Sequence, residues 1–403
     1  MRILQLVSSL SGGAGTATRN LNFSLNKMGI LSEILARSQK NEQIKSNENT
    51  INLNFFETFQ SRFVTVSQEK LIQKTGDLVT PVSLSFLSKA KLNLNNFDIF
   101  HIHSFFNLLS INDLHLLKAT AKPIFFTLHD QRLFTGGCHC SRDCEKFLNK
   151  CERCPQINTP FKKLADKNQF KLEELFNNFQ NAYVISPSKW LADLANSSQV
   201  LRGKEINHIN NSIAITRALP SREKSRAVFG LTKNDVVLGF VSPDLNNSYK
   251  GFNILVSALS HISHNHKNKK LMLIIIGKGK VPTFGENISI MHLESVPNNE
   301  IFSIFSAMDL LVVPSTQDNS PNVVLESLMV GTPVIGSQVG GITELLRQFD
   351  LPSFQPNDYV ELSEIIMNFK LQYDRKKISV KASDLFGFEN TTVKIAELYS
   401  KAI

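Results

Sequence analysis

Residues 310–346 place the strongest constraint on the fold of this chain. Leu310–Val313 is a short run of apolar and β-branched residues, typical of a strand buried on both faces. Ser320 and Pro321 then fit the start of a helix, as its cap and its first residue. Gly331 is placed to end that helix in a left-handed conformation. A second strand and helix follow, so the stretch predicts part of a parallel α/β sheet.

The loop between this strand and this helix is a candidate ligand site, because open α/β sheets bind ligands at the carboxyl ends of their strands. The N–H groups of Asn322 and Val323, together with the helix dipole, favour an anion such as a diphosphate. Glu326 lies one turn further on the same face, where it can accept hydrogen bonds from two ribose hydroxyls. Asp318, in the loop, can reach the group attached to the diphosphate. The alternative is that Glu326 is solvated and Asp318 forms a turn.

The acids stand within D-N-S-P-N-V-V-L-E-S-L-M-V-G-T-P-V-I-G. This segment resembles the E-x7-E segment of retaining nucleotide-sugar glycosyltransferases of family 4. The resemblance implies an α/β chain with the GT-B fold, in which two doubly wound Rossmann-like domains face each other across a cleft. It also implies that Asp318 is catalytic and that Asn322, Val323 and Glu326 bind the donor. The sequence departs from the family in having Asp318 where the family has Glu.

Length and composition agree with two globular domains. The chain has 403 residues, of which 42% are apolar and 20% charged, which excludes a disordered protein. The start is not a signal peptide, and no run approaches the ~18–20 apolar residues of a membrane span. We therefore expect a cytoplasmic protein.

The positive charge is concentrated in the first half of the chain. Residues 1–215 contain 25 Lys and Arg against 17 Asp and Glu, out of a net charge of +9 for the whole chain. Such a half can contact an anionic membrane surface or nucleic acid, or its lysines can simply be solvated. Phe55, Phe56, Phe59 and Phe63 have helical spacing, which predicts packing or, alternatively, an apolar face for a lipid acceptor or membrane.

The first domain opens with a strand, a loop and a helix. Met1–Val7 predicts the strand, Ser8–Thr16 a Gly-rich loop, and 16–28 the helix. Gly12 and Gly13 would let backbone N–H groups approach a phosphate. In the family that the chain resembles, this loop lies beneath the bound donor, so Gly13 is expected at the donor.

Two further strands end in histidines. Asp98–His103 reads D-I-F-H-I-H, and Pro123–Leu128 is followed by His129 and Asp130. Both patterns resemble the family. The resemblance implies that His129 is catalytic and contacts the transferred sugar or the acceptor near the reacting carbon, and that Asp130 orients this edge. The structural alternative is a buried His129 that is hydrogen-bonded to Asp130.

All five cysteines fall within 17 residues. In a cytosolic protein such a cluster indicates a metal site more than disulfides, and four thiolates can hold Zn²⁺ tetrahedrally. Reduced structural thiols are the alternative. The segment also resembles T-G-x-C-x-Y-x3-C-x6-C-x2-C-P, an insertion in one branch of these transferases found in bacterial polysaccharide biosynthesis. That resemblance implies a structural, non-catalytic zinc bound by Cys138, Cys144, Cys151 and Cys154, with Cys140 in place of an aromatic residue.

The second domain begins near Val236–Val241, which predicts a strand. Lys250 and Gly251 resemble the family's K-G pair, in which the Lys binds the donor's diphosphate. The Arg that the family has several residues earlier is missing, because residues 243–245 are Pro, Asp and Leu. The strand Leu271–Gly277 leads into a Gly-Lys-Gly turn that is also family-like.

These patterns together predict three parts. Residues 1–210 form an acceptor-side Rossmann-like domain with a Cys-rich insertion at 135–160. Residues 211–385 form a nucleotide-sugar-binding Rossmann-like domain, and residues 206–213 bridge the first domain to the second. Residues 386–403 form a helix that crosses back to the first domain.

The resemblance implies a retaining glycosyltransferase that moves a sugar from a UDP- or GDP-type donor to a hydroxyl acceptor, without a divalent cation for catalysis. It further implies surface polysaccharide biosynthesis on a saccharide or lipid-linked acceptor at the inner face of the cell membrane. One alternative is a nucleotide-sugar epimerase of similar shape, which the spacing of Lys250, Asp318 and Glu326 argues against. Another is a zinc-containing nucleic-acid-binding protein, but the cysteine cluster lacks the interleaved basic and aromatic residues that stack bases.

Overall fold

The computed structural model describes residues 1–37, 48–51, 85, 87, 93–158, 161–215, 218–297, 300–369 and 373–403. The four phenylalanines at 55, 56, 59 and 63 lie outside the described residues. The chain divides into two compact units. The first unit comprises Met1–Ala214 and Thr391–Ile403, and the second comprises Ile215–Asn390. Within the described ranges, no helix is long and apolar enough to span a bilayer.

A parallel sheet lies at the centre of the first unit. Its seven strands are β1 (Arg2–Val7), β2 (Leu31–Arg37), β3 (Glu48–Ile51), β4 (Ile99–Ile102), β5 (Ile124–Thr127), β6 (Ala182–Ser186) and β7 (Ile206–His208). Their order in the sheet is β3-β2-β1-β4-β5-β6-β7, and every neighbouring pair is parallel. Because β2 and β3 lie on one side of β1 and β4 on the other, the order reverses between β1 and β4.

Helices flank this sheet. Those of the described part of the first unit are α1 (Gly12–Lys27), α2 (Ile111–Ala119), α3 (Lys163–Asn177), α4 (Lys189–Ser197) and the last helix of the chain, α12 (Phe388–Ala402), which belongs to this unit from Thr391 onward. Short 3-10 turns occur at Leu94–Asn96 and Lys146–Leu148. Ile395 and Tyr399 of α12 pack in one buried cluster with Ile3, Ile99 and Phe125 from the strands.

The second unit has a parallel sheet of six strands. They are β8 (Val237–Asp244), β9 (Leu271–Lys278), β10 (Ile288–Leu293), β11 (Leu310–Val313), β12 (Val334–Ser337) and β13 (Ser353–Phe354). Their order is β10-β9-β8-β11-β12-β13, so this sheet reverses between β8 and β11. All four residues of β11 are buried, as its unbroken apolar run predicts.

The described helices of the second unit lie between and after these strands. They are α5 (Arg222–Val228), α6 (Phe252–Asn265), α7 (Ile301–Ala307), α8 (Asn322–Met329), α9 (Gly340–Gln348), α10 (Tyr359–Asn368) and α11 (Arg375–Phe386), with a 3-10 turn at Ser248–Lys250. Gly331 follows α8 with φ +77, which agrees with the predicted left-handed end of that helix.

Three boundaries differ from the sequence-based expectation. Helix α1 begins at Gly12, so residues 12–16 are helical and not part of a loop. The reason is packing: a Cβ at Gly15 would overlap the backbone of Leu10, so this glycine lets the helix lie close to the loop that precedes it.

The second difference is that Ser320 does not cap α8. Its hydroxyl is buried without a partner among the described residues, and Pro321 is the residue that flanks the helix.

The third difference concerns the expected bridge between domains. Ile206–His208 is not a linker but β7, the edge strand of the first sheet, paired in register with Val184–Ser186 of β6. Its three residues are only partly buried or exposed. An edge strand with one covered face has a weak apolar signal, which explains why the sequence pattern did not reveal it.

Candidate active site

The loops after β8 and β11 border the reversal point of the second sheet. At such a point neighbouring loops turn in opposite directions and leave a crevice in which α/β proteins bind ligands. Lys250 lies at the end of the 3-10 turn that follows β8, and Asp318 lies in the loop that follows β11. Two of the predicted site residues are therefore placed on the two loops that form this crevice.

Lys250 and Asp318 form an ion pair. The Nζ atom of Lys250 lies 2.6 Å from Oδ2 of Asp318, and Oδ1 accepts a hydrogen bond from the N–H of Asn319 at 3.0 Å. The Lys250 side chain is 31% exposed and that of Asp318 15%. The carboxylate of Asp318 thus holds one cation at the sheet edge, and the side chain of Lys250 stays partly exposed.

Gly251 sets how closely the two loops approach. Its φ of +68 is in the left-handed region, and a Cβ at this position would overlap the carbonyl oxygen of Pro314. Glycine alone meets both conditions without strain. The glycine that follows Lys250 therefore lets this loop pack against the end of β11, from which the loop with Asp318 departs.

Helix α8 begins directly after that loop. The backbone N–H groups of Asn322 and Val323 belong to its first turn, where helix N–H groups point out of the amino end. Glu326, one turn later, is half-buried, and desolvation raises its pKa from 4.5 to about 8. Nothing in the described part of the chain hydrogen-bonds or pairs with its carboxyl group. This environment differs from that of a solvated helix residue, and it leaves the group available for hydroxyls of a ligand.

The predicted Gly-Lys-Gly turn ends β9, the neighbour of β8. Gly277 has φ +146, and a Cβ there would overlap the carbonyl oxygen of Ser242 in β8. The glycine therefore serves the close approach of two strand ends. Its own carbonyl oxygen accepts a hydrogen bond from His292 at 2.7 Å.

In the first unit, His129 follows β5 and bonds to another histidine. Its Nε2 lies 3.1 Å from Nδ1 of His103, and Nε2 of His103 lies 2.9 Å from Oε1 of Gln5. Burial is the main reason that the pKa of His129 falls to about 4 and that of His103 well below its usual 6.5. Both rings are therefore neutral near pH 7. His103 and His129 line one pocket, together with Phe105, Phe106 and Arg132.

Asp130 is not the hydrogen-bond partner of His129. The alternative in which a buried His129 is hydrogen-bonded to Asp130 is therefore wrong. The carboxylate of Asp130 instead accepts from Arg132 through both oxygens, with Nε at 3.0 Å from Oδ1 and Nη2 at 2.5 Å from Oδ2. This pairing outweighs the desolvation of the carboxyl and lowers its pKa to about 2. The guanidinium of Arg132 also lies over the ring of Phe106, 4.7 Å from its centroid. Asp130 thus fixes Arg132 beside the pocket.

Gly13 lies in the first turn of α1, at the reversal point of the first sheet. A Cβ at Gly13 would meet no atom within 4 Å, so the surface there is open. The preceding loop is tied to the end of β4 because Ser8 bonds to the hydroxyl of Ser104 through its backbone N–H and its own hydroxyl. Gly13 and His129 belong to the first unit, whereas Lys250 and the acids Asp318 and Glu326 belong to the second.

Four of the five cysteines line one small pocket. They are the four predicted metal ligands, Cys138, Cys144, Cys151 and Cys154. Cys140 does not line it, and all five are free thiols. Burial raises the pKa of Cys151 to about 12, whereas the hydrogen bond from Cys138, with help from the N–H groups of Gln156 and Ile157, lowers that of Cys154 to about 7.

The thiol set fits zinc in number and kind. In the described ranges, however, no group of three or more Cys, His, Asp or Glu side chains is arranged to hold a metal ion. Protonated thiols hydrogen-bond to one another, as Cys138 and Cys154 do, and four sulfurs would draw together only when their protons are displaced by the ion.

Sequence reasoning missed Gln5. It is fully buried in the middle of β1, R-I-L-Q-L-V, where every other residue from Ile3 to Val7 is apolar and buried. The signal was present, because a polar side chain inside an otherwise apolar parallel strand needs a specific partner. The identity of that partner, His103, depends on β1 and β4 being neighbours, which the sequence alone does not state.

Comparison with known proteins agrees with this geometry. Residues 235–368 match the family model described as Glycosyl transferases group 1, and this range includes Lys250, Asp318 and Glu326. WcaC of Escherichia coli (strain K12), whose name assigns it to colanic acid biosynthesis as a glycosyl transferase, is 28% identical over 285 residues, which cover 66% of this chain and 65% of WcaC. D-inositol 3-phosphate glycosyltransferase of Corynebacterium glutamicum (strain R) is 23% identical over 198 residues, covering 45% and 47%.

Solved structures resemble the chain over its whole length. Sucrose-phosphate synthase from Thermosynechococcus elongatus has a TM-score of 0.67 at 15% identity and covers 100% of this chain and 99% of its own. Anabaena Alr3699/HepE, in complex with UDP-glucose, has a TM-score of 0.60 at 16% identity, with 100% of each chain covered.

The predicted fold class is therefore confirmed: the two doubly wound α/β units have the GT-B fold of these structures. The matched part of the chain spans less than two thirds of either curated relative. Residues 235–368, which include the Lys250 and Asp318 loops and helix α8, are thus the part of the chain that is similar to glycosyl transferases of group 1.

Proposed function

We propose that this protein is a retaining glycosyltransferase that moves a sugar from a nucleoside diphosphate sugar, of the UDP or GDP type, to a hydroxyl acceptor. The main support is the arrangement at the reversal point of the second sheet: a partly exposed lysine paired with Asp318, a helix amino end, and the carboxyl of Glu326, which has no partner among the described residues. Cation, N–H groups and carboxyl are the three kinds of group that a diphosphate and a ribose require.

The donor would occupy this edge with its diphosphate at Lys250 and at the first N–H groups of α8, those of Asn322 and Val323. Both supply positive potential where charge grows as the leaving group departs. Glu326 would accept hydrogen bonds from the ribose hydroxyls, and Asp318 would contact the transferred sugar. The resemblance to HepE, whose structure contains UDP-glucose, supports a nucleotide sugar as the donor class.

The first unit would supply the acceptor side. Gly13 would lie near the donor because its open surface allows close approach, and His129 would contact the transferred sugar or the acceptor from its pocket. A role for His129 in positioning is favoured over proton relay, because its pKa of about 4 keeps it neutral near pH 7.

The reaction would proceed with retention. The acceptor oxygen forms a bond to the anomeric carbon on the face from which the phosphate departs, the bond from that carbon to the phosphate oxygen breaks, and the acceptor's proton passes to the departing phosphate. Lys250 and the amino end of α8 stabilise the diphosphate, so this scheme requires no divalent cation.

The proposal can be tested with purified protein and a panel of UDP, GDP and ADP sugars. Thermal shift first identifies the donor, and incubation with saccharide acceptors then yields a glycosylated product whose anomeric configuration is read by NMR. Lys250→Met serves as the inactive control. Conversion of the nucleotide sugar into its epimer without acceptor would favour the epimerase alternative. Retention of labelled nucleic acid, with no donor bound, would favour the nucleic-acid-binding alternative.

The Cys-rich insertion would hold a structural zinc ion through Cys138, Cys144, Cys151 and Cys154. Their shared pocket and the exclusion of Cys140 support this set. The ion would supply a tetrahedral crosslink for a segment with little regular structure. It would take no part in the transfer reaction.

The cellular setting is also part of the proposal. The similarity to WcaC supports surface polysaccharide biosynthesis, in which a saccharide or lipid-linked saccharide would be the acceptor. The excess of basic residues in the first half of the chain supports contact with the inner face of an anionic membrane.

A further inference from the structure

We infer that Gln5 is a positioning residue that acts through His103: it fixes the tautomer of His129, so that Nδ1 of His129 accepts a hydrogen bond from a sugar hydroxyl of the substrate. The identity of the substrate rests on the proposed function. The tautomer itself does not, because it follows from hydrogen bonds within the first unit.

The orientation of the Gln5 amide is set by a chain of contacts that starts at the backbone. The N–H of Ser32 can only donate, so Oδ1 of Asn26 accepts it at 3.3 Å. The Nδ2 group of Asn26 then donates to the carbonyl oxygens of Ser32 and Asn22, both at 2.8 Å, and faces Oδ1 of Asn22 at 3.5 Å. Oδ1 of Asn22 is thereby placed to accept.

Gln5 responds to that arrangement. Its Nε2 group donates to the Ser32 hydroxyl at 2.8 Å and faces Oδ1 of Asn22 at 3.3 Å. Its Oε1 atom therefore faces Nε2 of His103 at 2.9 Å. An amide oxygen can only accept, so Nε2 of His103 must bear a proton.

The consequence passes to His129. His103 is buried and neutral, so with its proton on Nε2 its Nδ1 atom has a lone pair. Nε2 of His129, 3.1 Å away, must then donate to it. A neutral imidazole has one proton, so Nδ1 of His129 also has a lone pair. In the described part of the chain that atom has no partner, and the ring lines the pocket that also includes Ser104 and Arg132.

The charged groups near His129 agree with this assignment. Asp130 directs both of its oxygens to Arg132, so it does not compete for a proton on the ring. Burial disfavours an imidazolium at His129, and together with Arg132 it outweighs Asp130, which favours one. His129 is thus a preset hydrogen-bond acceptor, and a hydroxyl is the ligand group that such an atom selects.

The tautomers can be measured directly. In protein labelled with ¹⁵N-histidine, long-range ¹H–¹⁵N spectra distinguish protonated from unprotonated ring nitrogens, and loss of signals in His129→Ala and His103→Ala assigns the two rings. We expect protons on Nε2 of both in the parent at pH 7. A proton on Nδ1 of His129 in the parent overturns the inference, whatever the variants show.

The functional consequence is tested with Gln5→Met, which keeps the length of the side chain but removes the acceptor. We expect a mixture of tautomers at His129 and a kcat at least about tenfold lower, the loss for one hydrogen bond made in the transition state, with unchanged nucleotide affinity. The matched control is Ser32→Ala, which removes the contact on the other side of Gln5 but leaves its bond to His103. It should keep both the tautomer and kcat.

The outcomes separate the inference from the proposed function. If Gln5→Met has the parent's tautomer and kcat, Gln5 is only structural and the inference is wrong. If the parent shows the expected tautomers but transfers no sugar with any donor, the proposed function fails while the tautomer assignment stands. Should Gln5→Met not fold, the parent spectrum and Ser32→Ala still decide the tautomer.

Discussion

The ammonium group of Lys250 lies 2.6 Å from the carboxylate of Asp318, across 68 positions of sequence. The cation that is proposed to bind the diphosphate is therefore partly neutralised before any donor arrives. When a donor binds, the ammonium group of Lys250 must be shared between the carboxylate of Asp318 and the diphosphate. The ion pair therefore keeps the affinity for the diphosphate moderate. This coupling yields a prediction in which two neighbouring residues have opposite effects.

Asp318→Asn should leave UDP or GDP affinity unchanged or raise it by up to about tenfold, because it frees Lys250 for the diphosphate. Its kcat should fall, since the contact with the transferred sugar is lost. Lys250→Met should instead lower nucleotide affinity. Calorimetric titration together with steady-state kinetics checks both, and weaker nucleotide binding by Asp318→Asn would contradict the assignment.

Glu326→Ala should weaken nucleotide binding at pH 8.5 by roughly 1.5–3 kcal/mol, the cost of losing a charged acceptor for the ribose hydroxyls, because the parent's carboxyl is ionised at that pH. The measurement is calorimetric titration with the nucleotide identified in the donor screen. Glu364→Ala is the matched control, because Glu364 is an exposed acid on α10 and should bind like the parent. Equal affinities in the Glu326 variant and the parent would remove Glu326 from the site.

Glu326 should also make the stability of the apo protein depend on pH. Its carboxyl has a pKa of about 8 in the native state against 4.5 as the ordinary value, so between these values the native state binds more protons than the unfolded state. The free energy of unfolding must therefore fall as pH rises across this window. The full destabilisation from ionising this desolvated carboxyl is present above about pH 8.

Glu326→Gln removes this titration. The free energy of unfolding of the variant minus that of the parent should be larger at pH 8.5 than at pH 5. Urea unfolding without nucleotide measures both free energies. A difference in free energy of unfolding that is the same at both pH values would show that Glu326 has an ordinary pKa.

His129→Ala should lower kcat at least about tenfold with near-normal UDP or GDP affinity and melting temperature, because the residue lies in a different unit from the diphosphate site. Positioning at the reacting carbon affects the transition state more than nucleotide binding. A lower melting temperature with retained activity would mean that His129 serves the packing of the first unit.

About one Zn²⁺ per chain should copurify with the protein, a stoichiometry set by four thiolates around one ion. Native mass spectrometry measures it. Cys144→Ser should lose the metal, whereas Cys140→Ser, at the cysteine outside the pocket, should retain it. Absence of metal together with free reaction of all five thiols would exclude the site.

Local patterns predicted the parts of the site that depend on neighbours in sequence. The run Leu310–Val313 specifies a buried strand and Gly331 a left-handed helix end, and the structure has both in place. Sequence patterns did not predict the start of α1, where Gly15 allows close packing inside the helix. They also did not predict hydrogen bonds whose two partners come from different strands. The bond from His129 to His103 spans two strands, and no spacing rule would select it over the adjacent Asp130.

The placement of Tyr399 has a consequence for how the chain folds as it is synthesised. Its ring is fully buried among Ile3, Ile99 and Phe125, and its hydroxyl lies 2.5 Å from Nδ1 of His101. Domains generally fold in the order in which they leave the ribosome. Here the unit that emerges first lacks part of its core until Thr391–Ile403 is made, so the second unit can finish folding before the first. Removal of Tyr399 and its neighbours in α12 would therefore damage the amino-terminal half of the protein.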